Sequence, residues 1–93
     1  MFRGSKSGHG NFSFANGNFY TGEFKDNNMN GIGVYMWIDG RVYNGSWKDG
    51  KKWGKGVFTW NDGRVYDGEY LDDEKSGYGK MTWPDAKRYE GYW

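Results

Sequence analysis

Few residues in this chain are of types that do chemistry, and their spacing argues against catalysis. His9 is the sole histidine, set between Gly8 and Gly10 with no second ligand type beside it. One isolated imidazole is expected to be solvated rather than catalytic or metal-bound. Asp72-Asp73-Glu74 is the one acidic cluster. It lacks the alternating acidic positions and closing glutamate of a calcium loop, so a solvated loop is expected. Gly54-Lys55-Gly56 has the glycines of a phosphate-binding run. No helix follows to present its N-terminal amides to an anion. There is no cysteine, hence no thiolate nucleophile, disulfide or thiolate metal site. No nucleophile, base and orienting group can be assembled, so no enzyme activity, cofactor or metal is expected.

Two residue sets are suited to binding. The first is basic: Lys48, Lys51, Lys52 and Lys55. Such a cluster could meet the head group of an acidic phospholipid or phosphoinositide. The second is aromatic: Trp47, Trp60, Tyr70, Trp83, Tyr89 and Trp93, with Gly91 between the last two. Rings of this kind anchor protein interfaces.

The elements that must position these residues repeat. Tyr20, Tyr43, Tyr66 and Tyr89 recur at a spacing of 23. Gly22, Gly45, Gly68 and Gly91 keep that register, as do Phe24, Trp47, Tyr70 and Trp93. The other half of the unit carries Gly8/Gly31/Gly54/Gly77, Gly10/Gly33/Gly56/Gly79 and Phe14/Trp37/Trp60/Trp83. A fixed period of this length marks a repeat array. Three full units run 20–42, 43–65 and 66–88, with half-units at 8–19 and 89–93. Residues 1–7 have no clear periodicity and read as a tail or the end of a preceding repeat.

The motif Tyr-x-Gly-x-aromatic, a short loop and Gly-x-Gly resembles the MORN repeat, the membrane occupation and recognition nexus module. The resemblance covers roughly residues 8–93. It implies a β-hairpin per repeat and a non-enzymatic role. In relatives of this kind, enzyme activity belongs to a separate catalytic domain. Larger MORN proteins are elongated parts of cytoskeletal and ciliary assemblies and often dimerise. An intracellular, cytoplasmic and cytoskeleton-associated location, extending to a cilium or flagellum, would follow.

Composition agrees with a sheet of rings on glycine. Aromatics make up 22% of the chain while all hydrophobics are 35%, and glycine is 17 of 93. Aliphatic residues are too scarce for a two-layer core. Net charge is +1, which gives no general attraction to nucleic acid. No apolar run is long enough for a signal peptide or a membrane span.

Period-two alternation predicts about eight strands and no helix, near 9–15, 18–25, 31–38, 41–48, 54–61, 64–71, 77–83 and 87–93. The expected fold is an all-β, elongated and curved single-layer antiparallel meander. Tight turns are expected at Asn16-Gly17, Asp39-Gly40, Asp62-Gly63 and Asp85-Ala86, and looser loops at 26–30, 49–53 and 72–76. Gly63 should be left-handed after a type I turn, with Pro84 at the first central position of the equivalent turn. Ala86 replaces the glycine of the other turns. Alternation puts Tyr43, Gly45, Trp47, Gly54, Gly56, Phe58 and Trp60 on one face. It puts Val42, Asn44, Ser46, Lys48, Lys55, Val57 and Thr59 on the other. Each strand glycine is expected beneath a ring from an adjacent strand.

These patterns favour a protein-binding or scaffold module over a lipid-binding one. Loops equivalent to the lysine cluster differ: 26–30 has no basic residue and 72–76 is net acidic. A membrane-reading surface should be reinforced along the array. The final strand carries Tyr89, Gly91 and Trp93 without the Gly-x-Gly strand that follows in inner repeats. Its open edge is therefore the expected docking surface, filled by a second copy or another protein. The sequence could also be a fragment of a longer array.

Overall fold

The computed structural model describes residues 8–93. Eight strands form one open sheet in sequence order: β1 (Gly8–Ser13), β2 (Phe19–Lys25), β3 (Asn28–Met36), β4 (Val42–Lys48), β5 (Lys51–Thr59), β6 (Val65–Leu71), β7 (Glu74–Thr82) and β8 (Arg88–Tyr92). Every neighbouring pair is antiparallel. No described residue is helical. The Cα atoms span 45 × 25 × 16 Å. The smallest extent exceeds the pleat of a flat sheet, so this single layer is coiled.

The two kinds of connection are the reverse of the expected ones. The loops expected to be looser are two-residue turns: Asp26-Asn27, Asp49-Gly50 and Asp72-Asp73. Both residues of each have positive φ, from 49° to 82°. Asp and Asn tolerate the left-handed region, and paired left-handed residues make the type I′ turn that suits a twisted hairpin. β3, β5 and β7 consequently start three residues earlier than alternation suggests. The connections containing Asn16-Gly17, Asp39-Gly40, Asp62-Gly63 and Asp85-Ala86 are the longer ones. In the third, the Gly63 amide donates to the Trp60 carbonyl at 3.0 Å and the Trp60 amide to that of Arg64 at 2.9 Å. Gly63 has φ +99°, the left-handed glycine after a type I turn that the sequence suggests. Ala86 keeps that geometry, with φ 73° and its amide on the Trp83 carbonyl at 3.0 Å.

An irregularity absorbs the extra residues. Gly45 faces Gly56 and Trp47 faces Lys52, so four steps on β5 oppose two on β4. The same shift recurs between β2 and β3 and between β6 and β7. Gly31, Gly54 and Gly77 lie inside these bulges with φ between +72° and +93°. That inverts their Cβ direction. A methyl on Gly54 would meet the Ser46 side chain at 3.4 Å, on the outer face. Gly54 therefore does not join the ring face. In β2 and β3, Glu23 fills the bulge and accepts the Ile32 amide at 3.0 Å.

The core is one face of rings. Tyr20, Tyr43 and Tyr66 are fully buried, and Phe24, Trp47, Phe58, Tyr70 and Met81 nearly so. Each central tyrosine lies across a glycine pair. A Cβ on Gly56 would fall 2.1 Å from the Tyr43 hydroxyl and 2.4 Å from its ring. Gly33 stands in the same relation to Tyr20, and Gly79 to Tyr66. The glycines leave the space the rings occupy. Each phenol then donates to the carbonyl three residues on: Tyr20 to Glu23, Tyr43 to Ser46, Tyr66 to Glu69 and Tyr89 to Tyr92, at 2.9–3.0 Å. That bond ties the ring to its own strand. Rings from alternate strands also meet over the glycines: Tyr20 with Trp47 at 5.8 Å, Tyr43 with Tyr70 at 5.4 Å and Tyr66 with Trp93 at 5.5 Å, all edge-on. Edge-on packing suits the ring quadrupole.

Candidate binding surfaces

The C-terminal edge differs from the interior. β8 is the last strand, paired to β7 through Gly79↔Gly91 and Met81↔Tyr89. Tyr89 is 45% exposed and Trp93 44%, against 0% for Tyr43 and 5% for Trp47 at the equivalent inner positions. Trp93 is not splayed into solvent. Its ring stands edge-on to Tyr66 and to Tyr89, and its amide donates to the Gly77 carbonyl at 2.9 Å. One side of the final unit is therefore formed and the other is open.

The other candidate rings are parts of the core face. Trp47 is buried and its indole N–H donates to the Gly33 carbonyl at 3.1 Å. Tyr70 is buried, while Trp60 and Trp83 are partly buried against the cluster. Burial pushes the phenols of Tyr20 and Tyr43 up to about 12, and raises those of Tyr66 and Tyr70.

The four lysines do not converge. Lys52 lies on the ring face, its Nζ within 6 Å of the Trp37, Tyr43, Phe58 and Tyr70 centroids. It pairs with the Asp73 carboxylate at 3.4 Å. The Lys52 amide also donates to Asp73 and the Asp73 amide to the Lys52 carbonyl. Lys48 turns to the outer face, with its Nζ 5.2 Å from the Trp53 ring. Lys51 is opposite Lys48, and Lys55 is opposite Glu69.

Lys75 repeats Lys52 on the ring face, over Trp60, Tyr66 and Trp93 at 5.4–5.5 Å. Partial burial lowers its pKa, with Arg64 and Lys52 adding repulsion. Among the described residues no carboxylate lies within ion-pair reach of it. Sequence reasoning missed these two cations on the ring face. The signal was present: Lys52 and Lys75 share the register of Met29, a core neighbour. Between them runs a trough of about 580 Å³ bordered by Trp37, Arg41, Trp60 and Trp93. On the outer face Ile32, Trp53 and Leu71 are exposed apolar residues that the repeat pattern did not single out.

The remaining chemistry-bearing residues stay apart. His9 is exposed on edge strand β1, opposite Glu23. Asp72 and Asp73 are turn residues, and Gly54-Lys55-Gly56 lies within β5. Among the described residues no group of three or more metal-ligating side chains is close enough to hold an ion.

An open, unclosed sheet built from one hairpin per repeat, with a tyrosine on each glycine pair, defines a repeat module of the binding or scaffold class. The MORN repeat model matches residues 1–19, 20–40, 43–63 and 66–88, and the chain belongs to that family. No individual curated protein matches it significantly. No helix among the described residues is long and apolar enough to cross a membrane.

Proposed function

We propose that the chain is a non-enzymatic protein-binding scaffold module that docks through the open edge of β8, as a structural part of a cytoskeletal or ciliary assembly. The observation that carries this reading is the exposure of the rings at β8, Tyr89 at 45% and Trp93 at 44%. Tyr89 and Gly91 are placed like Tyr43 and Gly45, and among the described residues β8 pairs with β7 alone. Unpaired strand amides recruit another strand, and half-exposed rings supply anchors. The partner surface comprises Tyr89, Gly91 and Trp93. Trp83, Tyr70, Trp60 and Trp47 form the packed face that continues it.

Binding of acidic phospholipid by Lys48, Lys51, Lys52 and Lys55 is the alternative. The ion pair of Lys52 with Asp73, on the face away from Lys48, argues against the four acting together.

A peptide copied from Lys48 to Trp60 carries its own turn and Gly-x-Gly strand and is a direct probe of the edge. It should bind, with NMR shifts concentrated in β8. Joining the same segment in cis after Trp93 should abolish that binding. Shifts confined to the outer face, or equal binding by the capped chain, would place the docking surface elsewhere.

A further inference from the structure

Independently of the β8 edge, we infer that the outer face of the middle bulge, between β4 and β5, docks an acidic peptide, which supplies in trans the carboxylate that the flanking repeats carry themselves.

The three bulges are filled differently. At Gly31 and Gly77 a built Cβ would overlap the carboxylate of Glu23 or Glu69. From that place Glu23 accepts the Ile32 amide at 3.0 Å. The middle repeat has Ser46 at this position. The serine does not fill the space: the atom nearest a Cβ on Gly54 is the Ser46 Cβ at 3.4 Å, with its Oγ at 3.7 Å. Among the described residues no side chain accepts the Lys55 amide, the counterpart of that of Ile32. The space that holds a carboxylate oxygen in the neighbouring repeats is open in this one.

The surroundings of that space change in the same repeat. Lys55 stands where the others have Ile32 and Tyr78, and Trp53 where they have Asn30 and Ser76. Lys48, Trp53 and Lys55 are exposed, and the Lys48 Nζ lies 5.2 Å from the Trp53 ring. Among the described residues neither lysine has a carboxylate within ion-pair distance. Two depressions meet at Trp53. One of about 560 Å³ reaches Ser46, Lys48 and Ile32, and one of about 280 Å³ reaches Gly54, Lys55 and Leu71. Against both flanking repeats, the middle one thus loses a carboxylate and gains a cation and an indole. A carboxylate seated over Gly54 would accept the Lys55 amide as Glu23 accepts that of Ile32, in a charge-assisted bond beside two ammonium groups. Trp53, with Ile32 and Leu71 on either side, anchors the apolar side chains next to it.

This arrangement fits a peptide better than an anionic bilayer. Glu23 and Glu69 stand on the same face in the adjoining bulges, and a bilayer laid across the site would meet both negative charges. A single peptide carboxylate between them would not.

The probe is a blocked hexapeptide alternating glutamate and leucine, titrated into the isotope-labelled full chain. Binding should shift the Lys55 amide and the Trp53 indole and leave β8 unmoved. Ser46→Glu copies the side chain of Glu23 and Glu69 and should stay folded by circular dichroism. By supplying the carboxylate in cis it should weaken peptide binding about tenfold or more. Glutamine in place of the peptide's glutamates should weaken it as much, and Trp53→Ala, at an exposed site, should weaken it with the native peptide. Undiminished binding to Ser46→Glu or by the glutamine peptide, or shifts that miss Lys55 and Trp53, would overturn the inference. So would the absence of peptide binding, and sedimentation with phosphatidylserine vesicles in its place would assign the patch to a membrane.

Discussion

Tyr43 and Tyr89 are the same residue in two settings. Both donate a phenol hydrogen to the carbonyl three residues on, and both lie against the glycine two residues on. Tyr43 also lies against Gly56 of the next strand and touches Trp47 and Tyr70. Tyr89 has the intrastrand half of that arrangement, and among the described residues no strand pairs on the far side of β8. The local motif thus sets the ring's rotamer and hydrogen bond, while the neighbouring strand provides its burial. A repeat of this family is not a unit that closes on itself. Each hairpin finishes the core of the one before it, which makes stability cumulative along the array.

The largest effect should separate the two settings at their glycines. Gly56→Val puts methyl groups inside the Tyr43 ring and should cost about 3 kcal/mol or more, at the upper end of overpacking. Lys55→Val, on the outer face of the same strand, should change stability by less than about 1 kcal/mol. Gly91→Val should fall between, because Tyr89 can move into solvent. Urea midpoints of the three variants check the order, and equal midpoints would break the comparison.

Alkali provides a graded version of the same contrast. Burial raises the phenols of Tyr20 and Tyr43 to about 12, so the folded state favours their neutral form. An unfolded phenol ionises near 10. Their contribution to stability is therefore full below about pH 10 and is lost as pH rises from about 10 to 12. Denaturation midpoints should fall across that window, and the fall should be shallower in Tyr43→Phe. A pH-independent midpoint up to pH 12 would contradict the burial.

Tyrosine hydroxyls come next. Tyr43→Phe leaves the Ser46 carbonyl without its donor at a part-buried site and should cost about 1 kcal/mol. Tyr89→Phe should cost a few tenths, since water can replace the bond at a half-exposed site. Thermal unfolding of the pair reads the difference.

The smallest effect is at the turn. Ala86 is left-handed at φ 73°, where a methyl is disfavoured. Ala86→Gly should stabilise the monomer by less than about 1 kcal/mol, part of the gain being lost to the freer unfolded chain. A destabilised monomer would mean that the methyl makes a favourable contact.

Which parts of this were legible in the sequence follows from what each part depends on. The 23-residue period and the period-two alternation identify the strands, their order and the ring face, because a meander pairs each strand with its neighbour in sequence. The left-handed Gly63 and the Pro84 turn were legible because those residues restrict φ locally. The turns after β2, β4 and β6 were not. Asp26-Asn27 and Asp72-Asp73 lack the glycine that usually signals a two-residue turn, and Lys51-Lys52 reads as loop although both residues are in β5. The bulges stayed hidden for a related reason. Gly31, Gly54 and Gly77 keep the spacing of strand residues, and only their positive φ turns them to the outer face. The lysine cluster misled in the same way, since a bulge between Lys52 and Lys55 divides residues that sequence places together.

A double-mutant cycle between Tyr43 and Gly56 tests the central claim most directly. Four proteins are compared by urea denaturation: the native chain, Gly56→Ala, Tyr43→Leu and the double variant. If the glycine exists to admit the ring, Gly56→Ala should be strongly destabilising in the native background. With the smaller leucine it should be nearly neutral, giving a coupling of about 1–3 kcal/mol. Additive losses would show that ring and glycine contribute separately, and the account of an array completed hairpin by hairpin would be wrong.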